Sequence, residues 1–239
     1  MNDVVRDFFV CGFGDLPAGL GGLAWDFGQP GALLLVERDA RPASFALEEG
    51  GDALTLEITA DDSTVNATLS PRTAEIALDD GSGLTAVVCV ADVSPRGASG
   101  TVQCPGQLSR WSSNPVEGAG TFRHLAIDGG EESLLVAVAR GEPGADHGEE
   151  RTAGWLIRGE EESPFEDSFV STQYGANDDP TRFGLELWPE DSERASRAAA
   201  MRASASSLGG TRIGNAWAGL FGCHTDGSEG IGSYLLWRA

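Results

Sequence analysis

Short apolar or alternating runs, each closed by Gly, Asp, Pro or Ser, recur along almost the whole chain. "ALLLVER" (32–38), "ASFALE" (43–48), "ALTLEIT" (53–59), "TVNATLS" (64–70) and "AEIAL" (74–78) have the length and bounding residues of strands in a meander. The pieces between them, "EEGGD", "ADDS" and "DDGSG", carry residues that tolerate positive φ or cap turns with their side chains. "LTAVVCVADV" (84–93) and "GTVQC" (100–104) extend the series. It resumes after the turn-rich "WSSNPVEGAG" with "TFRHLAID" (121–128), "SLLVAVAR" (133–140) and "TAGWLIRG" (152–159). "FEDSFVSTQY" (165–174), "TRFGLELW" (181–188), "IGNAWAGLFGCH" (213–224) and "IGSYLLWR" (231–238) complete it. Regular spacing of this kind predicts an all-β chain, sandwich or barrel, in two parts with a seam near 105–120.

One segment breaks the pattern. "PEDSERASRAAAMRASASS" (189–207) offers Asp191 or Ser192 as an N-cap, Glu190–Arg194 and Glu193–Arg197 at helical spacing, and a run of alanines. Propensity predicts a short helix near 190–206, whereas the surrounding meander predicts a strand from about Arg197 to Ser206. The local sequence is compatible with both.

Composition narrows the chemistry. Of 239 residues, 37 are Asp or Glu and 16 are basic, giving a net charge of −21. Lysine is absent, so a lysine Schiff base and a P-loop lysine are excluded. A charge this negative repels nucleic acid and anionic membrane surfaces, and neither is expected as a partner. No apolar run is long enough for a spanning helix, and "MNDVVRDFFVCGFGDLP" lacks the basic start of a signal peptide, so a cytoplasmic protein without membrane insertion is expected. Cys11, Cys89, Cys104 and Cys223 are scattered and form no metal-binding spacing. Four free thiols are expected, with a Cys89–Cys104 disulfide as the alternative.

Candidate chemistry gathers in two places. In "EPGADHGEERTAGWLIRG" (142–159), His147 can move a proton near neutral pH, Asp146 can raise its basicity, and Arg151 is a permanent cation able to fix a carboxylate. In "GLFGCHTDGSEGIGSYLLWRA" (219–239), glycines within strands predict coiling or close approach, and His224, Asp226 and Glu229 fall at one rim. The alternative for both is a solvated polar turn. Six tryptophans, among them Trp25, Trp155 and Trp217, mostly fall within strands, where they serve as core or line a site for an apolar ligand. No G-x-S-x-G is present, and no G-x-G-x-x-G stands before a helix.

Three stretches carry a family likeness. "GADHGEERTAGWLIRG" (144–159), "STQYGANDDPTRFGLELW" (171–188) and "DGSEGIGSYLLWR" (226–238) resemble segments of the lipocalin-like superfamily of carotenoid hydratases, the hydroxyneurosporene synthases and their relatives. The likeness covers roughly residues 120–239, with Gly148 following His147 directly where the family commonly has Ser-Trp between them. It implies two successive antiparallel β-barrel or β-sandwich halves, 1–110 and 111–239, with an apolar cavity between or within them. It also implies an enzyme without a redox cofactor or metal, acting on an isoprenoid- or polyketide-like molecule by acid/base-assisted cyclisation, isomerisation or hydration. Asp146 or Glu229 would be the acid, His147 the base or orienting group and Arg151 the anchor, while Trp155, Tyr174, Trp217 and Trp25 would contact substrate. A non-catalytic carrier of a hydrophobic small molecule is the alternative.

Overall fold

The computed structural model describes residues 8–15, 17–51, 53–78, 81–96, 100–130, 133–146, 149–165, 167–175, 178–188, 196–200, 209–225 and 228–239; at 129–130, 167, 196–200, 209, 224–225 and 228–229 it describes the backbone alone. Nine strands form the first sheet: β1 (Phe8–Asp15), β2 (Leu20–Asp26), β3 (Pro30–Val36), β4 (Asp39–Gly50), β5 (Ala53–Ala60), β6 (Ser63–Pro71), β7 (Ile76–Leu78), β8 (Leu84–Pro95) and β9 (Val102–Trp111). Their order is β6-β5-β4-β3-β2-β1-β9-β8-β7, and β6 also pairs with β8 from Val65↔Pro95 to Pro71↔Cys89. That last pairing closes eight strands into an antiparallel barrel, which leaves no open edge around the ring.

Alternation builds the barrel. In β5, Leu54, Leu56 and Ile58 are buried while Thr55 and Glu57 face water. The inward set continues through Phe9, Cys11, Phe13, Ala24, Leu34, Val65, Ala67, Leu69, Cys89 and Leu108 to make one apolar core. β1, β2 and β3 instead read as continuous apolar runs and are buried on both faces. Their outer faces meet the second half of the chain.

That half supplies β10 (Thr121–Gly130), β11 (Ser133–Gly141), β12 (Arg151–Arg158), β13 (Glu161–Pro164), β14 (Asp167–Tyr174), β15 (Pro180–Trp188), β16 (Ser196–Ala200), β17 (Gly209–Ile213), β18 (Ala216–Thr225) and β19 (Ser228–Arg238). The order is β13-β12-β11-β10-β19-β18-β16-β15-β14, with β17 paired to β18. The sheet curls until its ends meet: the Phe165 N–H donates to the Gly154 carbonyl at 3.0 Å, and the Thr152 hydroxyl donates to the Ser168 carbonyl. Enclosed by this curl are Leu125, Ile127, Leu135, Ala137, Val170, Phe183, Leu185, Leu187, Trp217, Phe221, Tyr234 and Leu236. We call this curled sheet the second barrel.

The helix expected on propensity is not formed at Ser196–Ala200. These residues are β16, antiparallel to β15 through Phe183↔Ala200 to Leu187↔Ser196 and to β18 through Ala198↔Thr225. Two neighbouring strands offer a row of backbone partners there, and that outweighs the few tenths of a kcal/mol per residue by which alanine favours helix. The rest of 189–207 lies outside the described residues.

Between the two sheets runs a third apolar cluster drawn from both, including Val10, Leu23, Trp25, Phe27, Leu33 and Trp111 on one side and Phe122, Val136, Trp155, Ile157, Ala218 and Leu235 on the other. Glycines let the sheets approach: a Cβ on Gly14 would lie 2.6 Å from Ile231 Cδ1, and one on Gly21 would lie 2.6 Å from Leu220 Cδ1. All four cysteines are free and buried, so Cys89 and Cys104 are not bridged. Among the described residues, no helix is long and apolar enough to cross a membrane.

Candidate functional site

β10 sends alternate side chains to opposite faces. Phe122 and Ala126 join the cluster between the sheets, and Leu125 and Ile127 enter the second barrel. Arg123 shares the parity of Leu125 and is fully buried. A guanidinium in an apolar barrel requires compensation, because desolvating a charge costs several kcal/mol unless it is paired and hydrogen-bonded. Glu150, the last residue before β12, supplies the counter-charge: its Oε2 lies 3.0 Å from Arg123 Nη2, with 2% of the Glu150 side chain exposed. The Thr121 hydroxyl donates to Glu150 Oε1 at 2.9 Å. Gly141, opposite Thr121 in the β10–β11 register, makes room for this; a Cβ there would lie 2.5 Å from Thr121 Oγ1 and 3.2 Å from Glu150 Cγ.

The network continues across the barrel. Arg123 Nη1 donates to the Val170 carbonyl at 3.2 Å and to Thr172 Oγ1 at 3.1 Å. Thr172 Oγ1 is 3.0 Å from the Tyr234 hydroxyl. The Tyr234 ring stacks on Phe183 with centroids 5.1 Å apart and lies 5.9 Å from Trp217. Burial pushes the Tyr234 phenol well above its ordinary value, so it stays protonated and able to donate. A carboxylate, a guanidinium and a phenol thus share one aromatic interior, a set that can polarise an oxygen and move a proton.

A second polar line crosses between the sheets. His124 Nε2 lies 3.0 Å from Ser109 Oγ, Ser109 Oγ donates to Gln107 Oε1 at 3.4 Å, and Gln107 Nε2 donates to Ser233 Oγ at 3.4 Å. The His124 ring also meets Trp111 edge-on at 5.5 Å. Burial pulls its pKa down to about 3, so it is neutral under ordinary conditions. Among the described residues, no group of three His, Cys, Asp or Glu side chains could hold a metal ion.

The residues singled out from the sequence fall in different places. Asp146 is exposed; its N–H donates to Glu149 Oε2 at 3.2 Å and its carbonyl accepts from the Glu149 N–H at 2.9 Å, which makes a local turn. Arg151 is exposed at the start of β12, and His147 lies outside the described residues. Glu229 pairs with His224 in the β18–β19 register, and only their backbones are described. Trp25 and Trp155 sit together in the cluster between the sheets, while Trp217 lines the second barrel beside Tyr234. Tyr174 packs against that same interior from the end of β14, with the Arg238 guanidinium 5.0 Å over its ring. Sequence reasoning passed over Arg123, Glu150, Thr172 and Tyr234. One signal was present: a lone arginine on the inward parity of an apolar strand, in "TFRHLAID".

No protein-family model matches the sequence, and neither does any curated protein. Solved structures match in shape. An AttH candidate from Nitrosomonas europaea has a TM-score of 0.69 at 13% identity, over 98% of this chain and 92% of its own. Kievitone hydratase from Nectria haematococca has a TM-score of 0.64 at 8% identity, over 98% and 89%. CghA, solved with Sch210972, has a TM-score of 0.53 at 10% identity, over 98% and 89%. The fold is theirs. It is the two-part, lipocalin-like, all-β architecture expected from the family resemblance. At these identities the shared property is the fold, which by itself does not imply a shared function.

Proposed function

We propose that the protein is an enzyme acting on an apolar small molecule that carries an oxygen function, by proton transfer inside the second barrel. The observation that carries this reading is the buried line Glu150–Arg123–Thr172–Tyr234 set among Phe183, Trp217 and Phe221. In the proposed reaction, the Tyr234 hydroxyl and the Arg123 guanidinium polarise a substrate oxygen, and the Glu150 carboxylate takes a proton from a carbon made acidic by that polarisation. Returning the proton to a different carbon shifts a double bond; adding water across the double bond hydrates it. Only protons and water move, so the chemistry requires no redox cofactor. Support comes also from two proteins of the same fold, one a hydratase by name and one solved with the small molecule Sch210972. Trp217 and Tyr174 belong to the walls of this site. Glu150, just ahead of β12, rather than the exposed Asp146, is the acid–base group of this reading.

The test is incubation with β-ionone and citral, two apolar carbonyl compounds with acidic carbon–hydrogen bonds, in deuterated water, followed by mass spectrometry. Wild-type protein should accelerate deuterium uptake on carbon. Glu150→Gln, which keeps the shape and its hydrogen-bond acceptor, should slow it by about 10²–10⁴-fold. Saturable binding with no exchange would instead support a carrier, and wild-type exchange in Glu150→Gln would remove Glu150 from the chemistry.

A further inference from the structure

An ion pair joins opposite strands of the first barrel across its mouth. Around the eight-stranded ring, three strands separate β4 from β9 in either direction. Arg110 near the end of β9 and Glu49 near the end of β4 nonetheless meet at 2.5 Å between Nη2 and Oε1. Both lie on the inward parity of their strands, with Leu108 and with Phe45 and Leu47. Beneath the pair is a cavity of about 230 Å³ whose apolar wall is Leu54, Leu69, Val87, Cys89 and Leu108. Thr73 and Glu75, from the connection after β6, complete its rim.

We propose that this cavity is a second binding site, separate from the second barrel, for a neutral ring-sized hydrocarbon bearing one hydroxyl group. The size follows from the volume. Natural cores keep few voids larger than a water molecule, and an apolar cavity of roughly 150 Å³ holds benzene. The space here accommodates a ring with a short side chain, about ten non-hydrogen atoms in all. Its polarity follows from the rim. Arg110 is paired with Glu49, and a further carboxylate, Glu75, lines the same cavity on a chain of net charge −21, so an anionic group is repelled. A cation meets the guanidinium at the mouth. A hydroxyl suits both members of the bar, since it accepts from Arg110 and donates to Glu49. The apolar wall then takes the hydrocarbon. Cys89 does not make this a covalent site, because burial pushes its thiol up to about 12 and keeps it protonated.

The experiment uses the full chain labelled with ¹³C at Leu and Val methyl groups and titrated with 4-propylphenol. The Leu54, Leu69, Val87 and Leu108 methyls should shift saturably, while Leu125 and Val170 in the second barrel stay in place. Val87→Phe, which fills the cavity, should weaken binding tenfold or more. Propylbenzene and 4-propylbenzoate should each bind at least threefold more weakly than the phenol. Shifts confined to Leu125 and Val170 would overturn the proposal and place the phenol in the other barrel, whatever its activity there. No saturable shift at millimolar phenol would overturn it too. Tighter binding of the benzoate would overturn the assigned ligand class.

Discussion

Arg123 and Glu150 meet 3.0 Å apart inside the second barrel, their side chains 0% and 2% exposed. Removing one partner strands the other charge in an apolar interior, which typically costs about 3–5 kcal/mol, whereas replacing both with apolar groups of similar volume is often close to neutral. Arg123→Met should therefore destabilise by about 3–5 kcal/mol, and adding Glu150→Leu should recover most of that loss. Urea unfolding of the two single variants and the double variant checks this. Single variants each costing under about 1 kcal/mol would mean that the pair is solvated like a surface salt bridge.

His124 ties stability to pH through the junction between the sheets. Burial disfavours the imidazolium and lowers its pKa from the ordinary 6.5 to about 3 on folding. The unfolded chain thus binds the proton more readily between those values. The contribution is fully present above about 6.5 and is lost as the pH falls toward about 3. The loss approaches about 1.4 kcal/mol per pH unit. His124→Gln, which can still reach Ser109 but does not titrate, should flatten the stability curve between pH 7 and 5, where most carboxylates remain ionised. Denaturant midpoints of both proteins across that range provide the measurement, and parallel curves would show that His124 is accessible to protons in the folded state.

Much of the fold was legible because period-two patterning and turn chemistry are local properties. "ALTLEIT" alternates in the sequence as β5 alternates in the barrel, and close approach at the glycines of the closing hairpin is found at Gly232, where a Cβ would lie 2.4 Å from Cys223 Sγ. The site was much less legible. Glu150 sits between Asp146 and Arg151 in the sequence, and only its parity on entering β12 turns it inward while Arg151 faces water. That parity follows the register Arg140↔Arg151, and a slip of one residue would exchange the two faces. Arg123 likewise becomes a site residue only when β14 brings the Val170 carbonyl and Thr172 across the barrel. Ser196–Ala200 shows the opposite case, a local helix preference overridden by neighbouring strands.

The seam between the sheets offers a compensating pair. A Cβ on Gly14 would lie 2.6 Å from Ile231 Cδ1, while its other neighbours stand at 3.4 Å and beyond. Gly14→Ala should destabilise by about 1–3 kcal/mol through overpacking. Ile231→Val removes the clashing methyl and alone should cost about 0.5–1.5 kcal/mol. The double variant should be more stable than the sum of the two losses predicts, and thermal unfolding of all four proteins measures that coupling. Simple additivity would show that the sheets separate to admit the alanine.

Tyr234 separates the catalytic reading of the second barrel from a structural one. Its hydroxyl lies 3.0 Å from Thr172 Oγ1, and burial keeps the phenol protonated beyond its ordinary range. Tyr234→Phe removes one hydrogen bond and should cost about 1 kcal/mol of stability. If the phenol polarises the substrate oxygen, the same change should slow deuterium exchange into β-ionone or citral by about 10²–10⁴-fold. The wild-type pH–rate profile should then show no alkaline decline from Tyr234 below about pH 10, because its folded pKa is shifted upward from the reference value. Stopped exchange assays from pH 6 to 10, with denaturation curves on the same samples, separate the two roles. Exchange that falls only in proportion to the folded fraction would make Tyr234 a packing residue.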